Sequence, residues 1–211
     1  MICMSSEMMI DKRLEEIIRT SSFVAKLKSS NTIYAKQVEE LYETNKDKNE
    51  YCWNYVMYKW NMARNHWSLI NPDTGSLFTV LTELNEGIQS ILKLEENNWL
   101  ASIMKIKVDS FFEHSSHASI EDLLVICENQ EQVPFQSYYI ITYILISEVY
   151  YSIGEDEQAI RYLKKAEEKS QKITVLAELF KGMAIEYQNK LKREVGSYIL
   201  LETINNILNC I

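Results

Sequence analysis

The chain has 211 residues, a formal net charge of −8, 46% hydrophobic residues and 25% charged ones, the balance of an ordinary soluble globular protein. The acidic excess weighs against a sequence-independent grip on nucleic-acid phosphates, which needs clustered Lys and Arg. It suits solubility first and a basic partner segment second. Only five glycines and two prolines, Pro72 and Pro134, punctuate the chain, and Asn-Gly or Asp-Gly hairpin turns are absent. That scarcity predicts an all-α protein. No shift in composition divides it, so residues 1–211 read as a single domain. The cysteines, Cys3, Cys52, Cys127 and Cys210, are scattered without CxxC spacing, which fits reduced thiols in a cytoplasmic protein better than a disulfide framework. Met1 to Ile10 lacks the basic start and apolar block of a secretory signal, and the most apolar run, Tyr138 to Ile146, is too short to span a bilayer. The expectation is a cytoplasmic protein with no membrane partner.

In chain order, Leu14, Ile17, Ile18, Val24 and Leu27 keep a helical period from about Asp11, and Ser29, Ser30 and Asn31 break it before a second helix with Ile33, Val38 and Leu41. A DNA-binding helix-turn-helix is disfavoured here, because Lys36 stands among Glu39, Glu40 and Glu43, and carboxylates repel phosphate. After a charged linker at Asn45 to Asn49 comes the most aromatic stretch, Tyr51 to Trp67. Trp53, Val56, Trp60, Ala63 and Trp67 share one helical stripe, and Tyr51, Tyr55, Tyr58 and Met62 share another. A helix apolar on two faces is expected between neighbours in a core. The alternative is an aromatic cage for a cation, or a platform for stacking. Asn71 to Gly75 (NPDTG) predicts a loop, Leu77 to Leu94 a helix facing inward through Leu81, Leu84, Ile88, Ile91 and Leu92, and Trp99 to Phe112 another apolar helix. Ser119 with Asp122 predicts a capping box opening a short helix through Cys127.

No spacing predicts a reaction. His114 and His117 form an HxxH, but two ligands do not make a metal site and no third has recognisable spacing. Cys52 and His66 lie about 21 Å apart along one helix and cannot meet. Glu83, Glu86, Glu95 and Glu96 read as a solvated face beside Lys93, and no Walker loop, HExxH, nucleophile elbow or dinucleotide fingerprint occurs. Neither cofactor nor metal is expected.

Beyond Pro134, Tyr143, Ile146, Ser147 and Tyr150 form one stripe with a small residue in its middle. Gly154 is placed to end that helix in the left-handed conformation. The pattern restarts with Ala159, Ile160, Leu163 and Ala166, a face with small residues that lets two antiparallel helices approach closely. On these residues the chain resembles a tetratricopeptide repeat, although Gln171 stands where the usual terminal proline would be. A weaker copy follows with Phe180, Met183, Ala184, Tyr187, Gly196, Leu200 and Thr203. The best repeats therefore cover 138–171 and 174–210, and Glu86-Gly87-Ile88 echoes Gln158-Ala159-Ile160.

The resemblance implies a right-handed solenoid of stacked helical hairpins, about ten helices in all, that binds a peptide or protein segment in a concave groove as an adaptor or scaffold and catalyses nothing. It implies groove positions at Ile141, Ile144, Glu148, Tyr151 and Ser152 in the first copy, and at Glu178, Lys181, Ile185, Gln188 and Asn189 in the second. The lysine and asparagine pattern that clamps a C-terminal carboxylate is lacking. Other readings are an ordinary helical bundle, a peptide-sensing regulator without its own DNA-binding domain, and an all-helical enzyme with an aromatic pocket. The apolar ending Ile204, Ile207, Leu208 and Ile211 raises the expectation of a homo-oligomer.

Overall fold

The computed structural model describes residues 32–67, 74–112, 116–170, 175–194 and 197–210. The expected leading helix over 11–27, the residues Asn71 to Asp73, His114, and the side chains of His66, Trp67, His117 and Glu178 lie outside the described residues. Among the described residues every regular element is helical: α1 Thr32–Thr44, α2 Asn49–Trp67, α3 Thr74–Leu94, α4 Trp99–Phe112, α5 Ser116–Glu131, a 3-10 turn Ser137–Tyr139, α6 Ile140–Ser152, α7 Asp156–Lys169, α8 Val175–Arg193 and α9 Tyr198–Cys210. Three boundaries differ from those expected. Thr74 and Gly75 form the first turn of α3 instead of a loop, and α5 starts at Ser116, so Ser119 lies inside the helix and cannot cap it. Helix α5 also runs a turn past Cys127, because nothing before Pro134 interrupts it.

The described residues fall into two compact units, 1–108 and 109–211. In the first, α1, α2 and α3 pack as successive antiparallel neighbours. The α2–α3 register is set by three pairs: Asn49 with Glu95, Tyr55 and Val56 with Gly87, and Lys59 with Glu83. At Gly87 the side chains of Tyr55 and Val56 press against the α3 backbone. A Cβ there would lie 2.8 Å from Val56 Cγ2 and 2.9 Å from Tyr55 Cδ1, closer than side chains tolerate. Trp53, Val56, Trp60 and Ala63 are wholly buried, as are Leu84, Ile88 and Ile91 opposite them. Core packing is thus the role of Trp53 and Trp60.

In the second unit α6 and α7 form the expected hairpin. Gly154 takes φ +81 just past α6, where its N–H donates to Tyr151 O at 3.1 Å and the next N–H, of Glu155, reaches Tyr150 O at 2.9 Å. These two bonds satisfy the carbonyls left over at a helix end. Helix α5 packs on α6, and the α8–α9 hairpin stacks on α6–α7, with α8 beside α6 and α9 beside α7. Ala159, Leu163 and Ala166 are completely buried in this arrangement, as the small-residue pattern required. Ile204 and Ile207 are buried as well, so much of the apolar ending serves the interior of its own hairpin.

Candidate functional site: two three-helix junctions and a first-helix surface

Each unit has a point where three helices are tied together by polar atoms. In the second unit it is Ser147. Its Oγ donates to Ala159 O on α7 at 2.8 Å and lies 3.0 Å from the hydroxyl of Tyr187 on α8. Ser147 and Tyr187 are fully buried. Burial pushes the Tyr187 phenol well above its ordinary value, more than its hydrogen bond to Ser147 lowers it, so it stays a neutral donor.

In the first unit the junction is ionic. Lys59 on α2 is 3% exposed, and its ammonium lies 2.7 Å from Glu39 Oε1 on α1 and 2.7 Å from Glu83 Oε2 on α3. The rings of Tyr55 and Tyr58 flank it at 5.3 and 5.7 Å. Burial opposes the charge, yet the two carboxylate hydrogen bonds outweigh it and hold the lysine above its usual value. Two tyrosines of that stripe, Tyr55 and Tyr58, do flank a cation, and it is the protein's own Lys59. The one sequence signal that points to it is a lysine inside an otherwise apolar helical run. Tyr42 completes the junction, stacked on Tyr55 at 4.0 Å with its hydroxyl 2.8 Å from Ser90 Oγ.

A third cluster lies on α5, α6 and α7. Glu131 accepts hydrogen bonds from Lys165 and from the Tyr143 hydroxyl, and Cys127 lies beside it. Burial, followed by the Glu131 charge, pushes the Cys127 thiol up to about 11, leaving it protonated at neutral pH and a poor nucleophile. Among the described residues, no three His, Cys, Asp or Glu side chains come together as metal ligands, and no helix is long and apolar enough to cross a membrane.

The groove positions with described side chains do not form one surface. Ile141 and Ile144 are 1% and 0% exposed. With α5, α7 and α8 all packed on α6, the first two turns of that helix have no face left for a ligand, which corrects their assignment. Gln188 is turned toward its own hairpin, donating through Nε2 to Asn205 Oδ1 on α9. The others lie nearer solvent. Tyr151 is half-buried with its ring 6.3 Å from that of Tyr187, and burial followed by the nearby Glu194 carboxylate raises its phenol pKa. Ser152 is exposed, donates to Glu148 O and accepts a bond from Lys190 of α8. Glu148 and Lys181 are half-buried, while Ile185 and Asn189 are exposed. The last turn of α6 and the outer stripe of α8 therefore keep an accessible mixed surface.

The chain matches no family model and no curated protein. Among solved structures it is similar to the crystal structure of MamA, at 13% identity and a TM-score of 0.46, over 99% of this chain and 96% of that one. The hairpin pairing described above, not this match, supports the fold.

Proposed function

We propose that the chain is a non-catalytic module that binds a peptide or protein segment, acting as a cytoplasmic adaptor or scaffold through the tetratricopeptide-like hairpins of its second unit. The observation that carries this reading is the stacking of α8–α9 on α6–α7. It sets the first helices of two successive hairpins side by side, and their accessible residues Tyr151, Ser152, Ile185 and Asn189 mix a phenol, a hydroxyl, an aliphatic side chain and an amide. Rigid helices hold these groups in place, so a bound segment loses little entropy to ordering on the receptor side. Burial of Trp53 and Trp60 in the core of the first unit disfavours the aromatic-pocket enzyme, since neither ring lines an opening.

The test is selection from a random peptide library on the full chain, followed by titration of the selected peptide. Changing Tyr151 and Asn189 together to alanine should weaken binding at least about tenfold with the circular dichroism unchanged. Unaltered affinity would remove the surface from the reading.

A further inference from the structure

Among the described residues, helix α1 meets α2 and α3 through a few specific side-chain contacts, an edge-on contact of Tyr34 with Tyr58 at 6.0 Å among them, and buries little apolar surface. Of its described side chains only Val38 and Tyr42 are buried. Helix α2, in contrast, buries Cys52, Trp53 and the whole run from Tyr55 to Trp60. What α1 does touch is specific. The Tyr42 ring lies parallel to that of Tyr55, its hydroxyl meets Ser90, and Glu39 meets the ammonium of Lys59. Glu39 and Tyr42 are three residues apart and share one helix face.

The ion group makes this attachment releasable. A buried charge that loses its partner is normally held in place by the cost of being stranded. Lys59 has two partners from two different helices, and Glu83, at 2.7 Å, is carried by α3 and does not depend on α1. Lifting α1 therefore leaves no unpaired buried charge. It uncovers a surface on the α2–α3 hairpin with an aromatic ring to stack on, an ammonium to pair with and the Ser90 hydroxyl as a hydrogen-bond partner.

We propose that α1 is a displaceable strap on this surface, and that the surface accepts in its place a helical partner segment carrying a carboxylate and, three residues further on, an aromatic ring. The partner repeats the chemistry of Glu39 and Tyr42. Sparse burial puts α1 at the low end of local stability, and its occupancy lowers the apparent affinity for the partner by the fraction of time it is attached. The strap shares no residue with the surface proposed on the second unit, so either reading can fail without the other.

The experiment titrates the full chain into a fluorescein-labelled synthetic peptide of residues 32–44 and follows anisotropy. A chain carrying Glu39→Gln and Tyr42→Ala, with its own strap weakened, should capture the peptide about tenfold more tightly than the unmodified chain. Adding Lys59→Met to that chain should abolish the gain, and a peptide with Glu39→Gln should bind neither chain. Hydrogen exchange on the unmodified chain should show the amides of α1 exchanging at least about tenfold faster than those of α2, which tests the strap even if the variants fold poorly. Equal peptide affinity for folded variant and unmodified chains, or α1 amides as protected as those of α2, would overturn the proposal.

Discussion

The two three-helix junctions solve one problem with opposite chemistry. At Ser147 the helices meet through a neutral hydroxyl pair, with Ala159 and Ala166 small enough to let α7 nest against α6. At Lys59 the helices are joined by charge, and nearby Gly87 leaves room for Tyr55 and Val56. A hydroxyl network is fully satisfied at short range and cheap to bury. A buried ammonium is tolerable only while carboxylates surround it. Disturbing each junction should therefore fail differently: the ionic one when its carboxylates are removed, the hydroxyl one when one donor is stranded, while added volume is costly where the fit is already tight, as at Gly87.

The largest effect is expected from Glu39→Gln with Glu83→Gln, which leaves Lys59 charged, 3% exposed and unpaired; urea unfolding should show a loss of about 3 kcal/mol. Lys59→Met should cost under about 1 kcal/mol, because it removes the charge and leaves carboxylates that are 45% and 38% exposed. A milder double glutamine variant than methionine variant would refute the ionic account. The pH dependence has a definite sign. Lys59 is raised in the folded state, so its stabilisation is complete below the ordinary lysine value of 10.5 and is lost as pH climbs through the raised one.

Next comes Gly87→Ala, where the added methyl must displace Val56 or Tyr55; a loss of about 1–3 kcal/mol is expected, read as a lower midpoint with an unchanged m-value. At the hydroxyl junction Ser147→Ala strands the buried Tyr187 phenol and should cost about 1–3 kcal/mol. In a double-mutant cycle the pair Ser147→Ala with Tyr187→Phe should cost less than the sum of its singles. Strict additivity would mean the two hydroxyls do not act together.

The smallest effect belongs to Glu131 and Lys165. The Lys165 hydrogen bond holds the Glu131 carboxyl below its ordinary value of 4.5, so its stabilisation is present above that pH and disappears as pH falls through the lowered one. Glu131 is 43% exposed, and solvent screening limits the contribution to under about 1 kcal/mol. Comparing the acid limb of stability for Glu131→Gln and unmodified protein measures it.

Helix existence followed from periodicity and from the scarcity of Gly and Pro. The α6–α7 hairpin was legible down to individual residues, because a glycine at a helix end followed by small residues at seven-residue spacing suits two closely nested helices and little else. The bounds of α4, Trp99–Phe112, were legible for a similar reason, as a dense apolar run between polar breaks. The surface was much less legible. Ile141 and Ile144 sit at positions that a two-layer array would expose, but a third neighbour, α5, closes over α6, and no local pattern announces a neighbour supplied from another part of the chain. The half-buried Gln188 turns its amide to Asn205 of its own hairpin, a pairing the sequence does not announce either.

What the sequence determined by itself is local: which segments are helical, where α6 stops, and which side chains are small enough for close approach, all properties of a few residues and their period. Only the tertiary structure decided that Lys59 is the cation among the tyrosines, that Glu39 and Glu83 neutralise it, and that Ser147 joins three helices. Those pairings bridge 12 to 40 positions along the chain. Their partners are chosen by the packing of whole helices, which no short window of sequence contains.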